Sequence, residues 1–171
     1  MKLASHIRDV PDFPKPGILF KDITPLLADP AALDEAVRQL AEPFEGQGVT
    51  KVVGIESRGF IFGSAIARHL KAGFVPIRKP GKLPHKTVRK EYSLEYGTDA
   101  IEMHADAVGP GDKVLMVDDL LATGGTMEAA CELVSELGAE IVGVAFLIEL
   151  SFLKGRSKLS GRKVHVLIAV E

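Results

Sequence analysis

A chain of 171 residues, 46% hydrophobic and 26% charged, has the make-up of one folded domain, and that balance excludes wholesale disorder. A formal net charge of −2 removes any global reason to bind nucleic acid, so affinity for a polyanion has to be local. No uncharged apolar run reaches the roughly 18 residues of a membrane span, Lys2, His6, Arg8 and Asp9 break up any signal-peptide core, and the single Cys131 excludes an internal disulfide, so a cytoplasmic protein is expected.

Residues 1–28 are punctuated by Pro11, Pro14, Pro16, Gly17 and Pro25 and read as an irregular opening that carries Ile18, Leu19 and Phe20. A helix should start at Asp29-Pro30, with Asp29 as N-cap and Pro30 at the first helical position. Leu33, Ala36, Val37, Leu40, Ala41 and Phe44 then share one face, and Gly46 and Gly48 end it. Lys51–Ile55 is a buried-strand candidate, Gly59–Lys71 a helix and Gly73–Ile77 a second strand. Residues 78–98 break the rhythm and read as a long excursion, part of which Ile101–His104 could pair with as a ribbon. Lys113–Val117 is the clearest strand. Thr126–Leu137 is a helix with Met127, Ala130, Cys131, Val134 and Leu137 inward, closed by Gly138. Glu140–Ile148 and Arg162–Val170 supply two more strands. Strands alternating with helices imply an α/β domain: a mostly parallel, twisted sheet flanked by helices. In such sheets ligands bind beyond the carboxyl ends of the strands.

The most loaded of these ends is Val114–Thr126. After the apolar strand come Asp118-Asp119, then Leu120-Leu121, then Ala122-Thr123-Gly124-Gly125-Thr126 opening a helix. The glycines let successive amide N–H groups face one anion, Thr123 and Thr126 add hydroxyl donors, and the helix N-terminus adds its dipole. The loop lacks the Gly-Lys-Ser/Thr ending of a P-loop and the third spaced glycine of a dinucleotide fingerprint. Ionised carboxylates only accept hydrogen bonds, so the acidic pair suits two neighbouring hydroxyls. Together they suit a ribose 5-phosphate.

A second anion site is expected at Glu56-Ser57-Arg58-Gly59, where Arg58 offers a planar fork for a diphosphate and Gly59 permits close backbone approach. Arg78, Lys79, Lys82, Lys86, Arg89 and Lys90 lie in one stretch with no acidic residue between them, a local positive patch. Pro80, Gly81 and Pro84 within it suggest a lid that closes over polyphosphate and excludes water.

Val114–Thr126 resembles the phosphoribosyl pyrophosphate motif of the type I phosphoribosyltransferases. Gly17–Pro25, Glu56–Phe60 and Tyr92-Ser93-Leu94-Glu95-Tyr96-Gly97 extend the likeness over essentially the whole chain and are similar to the adenine-using branch of that family. The resemblance implies one domain over 1–171, with a hood at 1–28 and a flexible lid loop at 78–98. It also implies a reaction: adenine plus phosphoribosyl pyrophosphate giving AMP and pyrophosphate, with Mg²⁺ carried mainly on the pyrophosphate. By the same resemblance Asp118 and Asp119 hold the ribose hydroxyls and Ala122–Thr126 the 5-phosphate. Glu56 and Ser57 form the pyrophosphate loop with a cis peptide between them, and Arg58, Lys79 and Lys82 face the leaving pyrophosphate. The Leu19 backbone reads the adenine edge, Phe20 stacks on the ring, Leu150 forms the opposite wall, and Lys21 stands where many relatives carry arginine. Glu95 is the candidate for proton exchange with the purine, and Tyr96 beside it is placed with the substrate. A homodimer is implied as well.

Two rivals are open. One is the same enzyme type acting on xanthine, guanine or hypoxanthine, which would share the phosphate loop. The other is a ligand-sensing regulator of the same fold, which would need a DNA-binding module for which 171 residues leave no room.

Overall fold

A computed structural model describes residues 1–94 and 96–171. The opening is more ordered than its prolines suggest. A 3-10 turn at Leu3–His6 leads into β1 (Arg8–Pro11), which pairs antiparallel with β2 (Leu19–Asp22), Arg8 opposite Asp22 and Pro11 opposite Leu19. The ribbon is held by side chains far apart in sequence: Phe13 meets Phe20 edge to face at 5.1 Å, and Lys21 Nζ donates to Asp9 Oδ1 at 2.6 Å. A short helix α1 (Thr24–Ala28) follows.

Asp29 caps α2 (Pro30–Ala41) as expected, its carboxylate accepting from the amides of Ala31 and Ala32 at 2.9 and 3.1 Å. A 3-10 turn, Glu42–Phe44, then drives the Phe44 ring into the core. Strand β3 (Lys51–Ile55) and strand β4 (Gly73–Ile77) span the residues read from sequence, and α3 (Arg58–Leu70) lies between them, ended by Lys71 in the left-handed conformation. Part of the 78–98 excursion is strand. Its residues Thr87–Ser93 form β5, antiparallel to β6 (Thr98–His104), so the stretch is a ribbon with a loop at its base. β7 (Lys113–Leu121) runs four residues past the expected end, carrying the acidic pair inside the strand. Helix α4 (Gly125–Glu136), β8 (Glu140–Leu150) and β9 (Val164–Val170) complete the chain.

The main sheet has the order β4-β3-β7-β8-β9 and is parallel throughout. Alternate residues of β7 explain its two layers. Val114 and Met116 pack with α4 and with the ribbon, whereas Leu115 and Val117 pack with α1, α2 and α3. Both faces are therefore dry, which is why these strands read as continuous apolar runs. Cys131 is buried on α4 in the first layer, and burial pushes its thiol up to about 11, as suits an inert core residue. No helix among the described residues is long and apolar enough to cross a membrane.

Gly143 in β8 gives the second layer its tightest fit. The fully buried Phe44 ring lies over its Cα, and an added Cβ would collide with that ring while lying 3.2 Å from the Lys163 carbonyl oxygen. Gly143→Ala is expected to cost about 1–3 kcal/mol by overpacking. Urea unfolding should show a lower midpoint with an unchanged slope, and an unchanged midpoint would mean the Phe44 layer yields freely.

Candidate active site

The carboxyl ends of β3, β4 and β7 open onto one cleft of about 370 Å³. Glu56, Ser57 and Arg58 enter it from the turn after β3, Arg78 and Lys79 from the turn after β4, and Asp118, Asp119 and Leu120 from β7, with Thr126 at the start of α4. A smaller hollow of about 90 Å³ adjoins it, lined by Asp118, Ala122, Thr123, Gly124 and Thr126 among others. The sequence-derived acidic pair, phosphate loop and Arg58 turn thus meet at one edge of the sheet.

The loop that lines the hollow turns because Gly124 takes φ +88°, a left-handed conformation that ordinary side chains avoid. Helix α4 starts at the next residue, so its free amides and dipole face the same side. The close approach expected at Gly59 is also present. A Cβ there would lie 2.9 Å from Asp118 Oδ1, so only glycine lets α3 start this near the acidic pair.

Asp119 is 8% exposed and accepts from Arg58 Nε at 2.6 Å. The bond to Asp119 is the main force holding the Arg58 guanidinium charged, against its partial burial. Asp118 Oδ1 accepts from the Asp119 amide at 2.8 Å. Burial first, and the neighbouring Asp119 charge second, push the Asp118 carboxyl well above the usual carboxylate range.

Lys79, Lys82 and Lys90 of the basic stretch are engaged by acids. Burial alone would raise Glu56, but Lys82 Nζ at 2.6 Å and the Lys79 amide at 2.7 Å outweigh it and hold the carboxyl below its ordinary range, with Arg78 Nε at 3.3 Å. Glu56 therefore anchors residues 78–82, and its side chain is turned to cations. The Glu56–Ser57 peptide is cis, and Ser57 is exposed at the start of α3. Lys79 Nζ bonds Asp99, and Tyr92 Oη at 3.1 Å, and these partners overcome the desolvation that would lower its pKa.

Leu19 and Phe20 stand on successive positions of β2, and the Arg58 guanidinium carbon lies 5.8 Å from the Phe20 ring centre, which brings β2 against the Arg58 turn. Lys21 turns to Asp9 within the ribbon. Leu150 closes β8 and packs on the layer that holds α2 and α3. Tyr96 is 88% exposed, outside the cleft lining. Glu95, the candidate for proton exchange with the purine, lies outside the described residues.

Arg78, read from the sequence only as part of the basic patch, lines the cleft directly, and its place right after an apolar strand could have flagged it by the same rule that found Arg58. Two contributors were not singled out in the sequence. Asp99 holds Lys79 only because the ribbon register sets Tyr92 opposite Asp99, a relation no local pattern carries. The segment 151–159 packs behind the phosphate loop through Gly155.

The chain matches the phosphoribosyl transferase domain family over residues 22–167. It is 60% identical over 167 residues to an adenine phosphoribosyltransferase of Methylococcus capsulatus, covering 98% of both chains. The structure is similar to that of an adenine phosphoribosyltransferase from Rhodothermus marinus, with a TM-score of 0.94, 58% identity and coverage of 98% and 96% of the two chains. It is also similar to the Saccharomyces cerevisiae enzyme complexed with an imino-altritol bisphosphate and adenine, with a TM-score of 0.91, 42% identity and 96% coverage of each chain. With the acidic pair, the phosphate loop and the Arg58 turn set around one cleft, these likenesses place the chain in the adenine phosphoribosyltransferase family.

Proposed function

We propose that this chain transfers the 5-phosphoribosyl group from phosphoribosyl pyrophosphate to adenine, giving AMP and pyrophosphate. The observation that carries the reading is the continuity of Asp118-Asp119 with the Ala122–Thr126 loop along a single cleft edge, faced by Arg58 and Lys79. In this reading the hollow takes the 5-phosphate, the acidic pair takes the 2- and 3-hydroxyls, and Ser57, Arg58, Lys79 and Lys82 take the diphosphate.

Arg58, Lys79 and Lys82 each have a carboxylate partner, so a diphosphate competes for cations already held charged and in place. Its several negative charges outcompete a single carboxylate, and the cations then oppose charge growing on the leaving oxygen. The ribose C1–oxygen bond breaks, C1 passes through an oxocarbenium-like state, and adenine N9 bonds from the opposite face. Most of the acceleration is positioning and electrostatics. In this reading Mg²⁺ would be held chiefly by the oxygens of the substrate diphosphate. Bound there, Mg²⁺ would supply charge neutralisation on that diphosphate. Leu19, Phe20 and Leu150 frame the base, Tyr96 approaches from the ribbon tip, and Glu95 exchanges the purine proton. The assembly that goes with this reading is a cytoplasmic homodimer.

Purified protein with phosphoribosyl pyrophosphate and Mg²⁺ should release pyrophosphate with adenine and not with guanine, hypoxanthine or xanthine. Turnover with an oxopurine alone reassigns the base, and no turnover with any base removes the reading. Asp118→Asn combined with Asp119→Asn should lower kcat/KM by about 10²-fold or more while far-UV circular dichroism stays native; near-normal turnover takes the pair out of the site. Glu95→Gln should slow turnover by about 10²-fold, and an unchanged rate leaves Glu95 a loop residue.

Asp118 also makes a pH test. Its pKa is raised on folding, so its ionisation opposes the folded state at neutral pH, and that penalty fades as pH falls through the raised value. Asp118→Asn alone should therefore be the more stable protein at neutral pH, with the gain vanishing in acid. A gain that grows toward acid would contradict the cause given for the shift.

A further inference from the structure

Behind the phosphate loop, the chain leaves β8 through two 3-10 turns, Ser151–Leu153 and Gly155–Leu159. The second turn touches the loop backbone to backbone. A Cβ on Gly124 would lie 2.5 Å from the Gly155 carbonyl oxygen. A Cβ on Gly155 would collide with the Ala122 carbonyl oxygen and lie 2.9 Å from Leu121 Cδ1. The contact exists only because both positions lack a side chain.

The residue next to Gly155 is tied down by an ion pair. Glu149, only 6% exposed, accepts from Arg156 Nε with Oε2 at 2.8 Å and Oε1 at 3.0 Å. Glu149 and Asp119 are the only charged side chains buried among the described residues. Glu149 stands beside Leu121 in the β7–β8 register, and Leu121 is the residue that enters the phosphate loop. The connections close a ring: Leu121 beside Glu149, Glu149 bound to Arg156, and Gly155 next to Arg156 pressed on Ala122 and Gly124. Neither Glu149 nor Arg156 lines the cleft or the hollow, so neither touches the reacting atoms.

We propose that Glu149 and Arg156 are positioning residues that brace Gly155 behind residues 122–124 and so fix the geometry of the amides that take the 5-phosphate. The proposal rests on the assignment of that hollow to phosphate. Its physical basis is that amide donors stabilise an anion most when they are already aimed, and a displacement of an ångström in such a loop is costly. A buried carboxylate must keep its partner, which makes the brace rigid where surface packing would be compliant.

The test uses the full chain as Gly155→Ala, Arg156→Ala and Arg156→Lys, with calorimetric titration of ribose 5-phosphate and, separately, of pyrophosphate with Mg²⁺. Gly155→Ala and Arg156→Ala should weaken ribose 5-phosphate by about tenfold or more and raise the KM for phosphoribosyl pyrophosphate in step. Pyrophosphate, held on the Arg58 side, should stay within about twofold. Arg156→Lys keeps a cation opposite Glu149 and should recover part of the loss. It also serves as the readout if Arg156→Ala fails to fold. Equal losses for both ligands would indicate general loosening and overturn the brace. Wild-type binding of ribose 5-phosphate that the variants leave unchanged overturns it too, and leaves the function standing. Wild-type protein that does not bind ribose 5-phosphate overturns the phosphate assignment and the brace together.

Discussion

A carboxylate withdrawn from water needs a partner, and neighbouring strands of this sheet each bury one near their carboxyl ends. Asp119 on β7 is held by Arg58, and Glu149 on β8 by Arg156. Removing the arginine would leave its carboxylate buried without a partner, whereas the arginine side chains are themselves half exposed. Each pair therefore dictates where an arginine-bearing segment must run. The Arg58 pair draws the start of α3 over the cleft, and the Arg156 pair draws the 155–159 turn against the back of the phosphate loop. The front and the back of the site are thus tied to the two strands whose alternating apolar residues build the core.

The remaining charges follow the same logic with less burial. Glu56 gathers the Lys79 amide, Arg78 and Lys82, and Asp99 takes the Lys79 ammonium. A turn rich in cations would repel itself if left to solvent alone, and the carboxylates offset that repulsion while leaving the cations fixed in position. Half-exposed pairs of this kind add little to stability. Their value lies in orientation. In the proposed reading, the diphosphate meets side chains whose conformations are already chosen.

Much of this was legible in the sequence where the signal is local. Lys51–Ile55 and Gly73–Ile77 are apolar runs between polar or glycine boundaries, and both strands span those residues. The acidic pair and the glycine loop are contiguous, so they could be read as one unit. β7 was cut short because its apolar pattern ends at Val117, whereas the ladder to β8 continues to Leu121 whatever the side chains are. The β1–β2 ribbon was hidden among prolines because it depends on Phe13 meeting Phe20 and Lys21 meeting Asp9, contacts that appear only once the chain has turned back. Asp99 and the Glu149–Arg156 pair escaped for the same reason. A partner set by register or by a turn after a strand leaves no periodic trace.

The β1–β2 ribbon shares no strand with the five-stranded sheet. Its hydrogen-bonded register is its own, so residues at its tip can change without moving the strands that carry Asp118, Asp119 and the phosphate loop. In the proposed reading, the part that handles the donor is locked into the core, while the part that meets the acceptor is a small appendage that substitutions can alter without rebuilding the sheet beneath it.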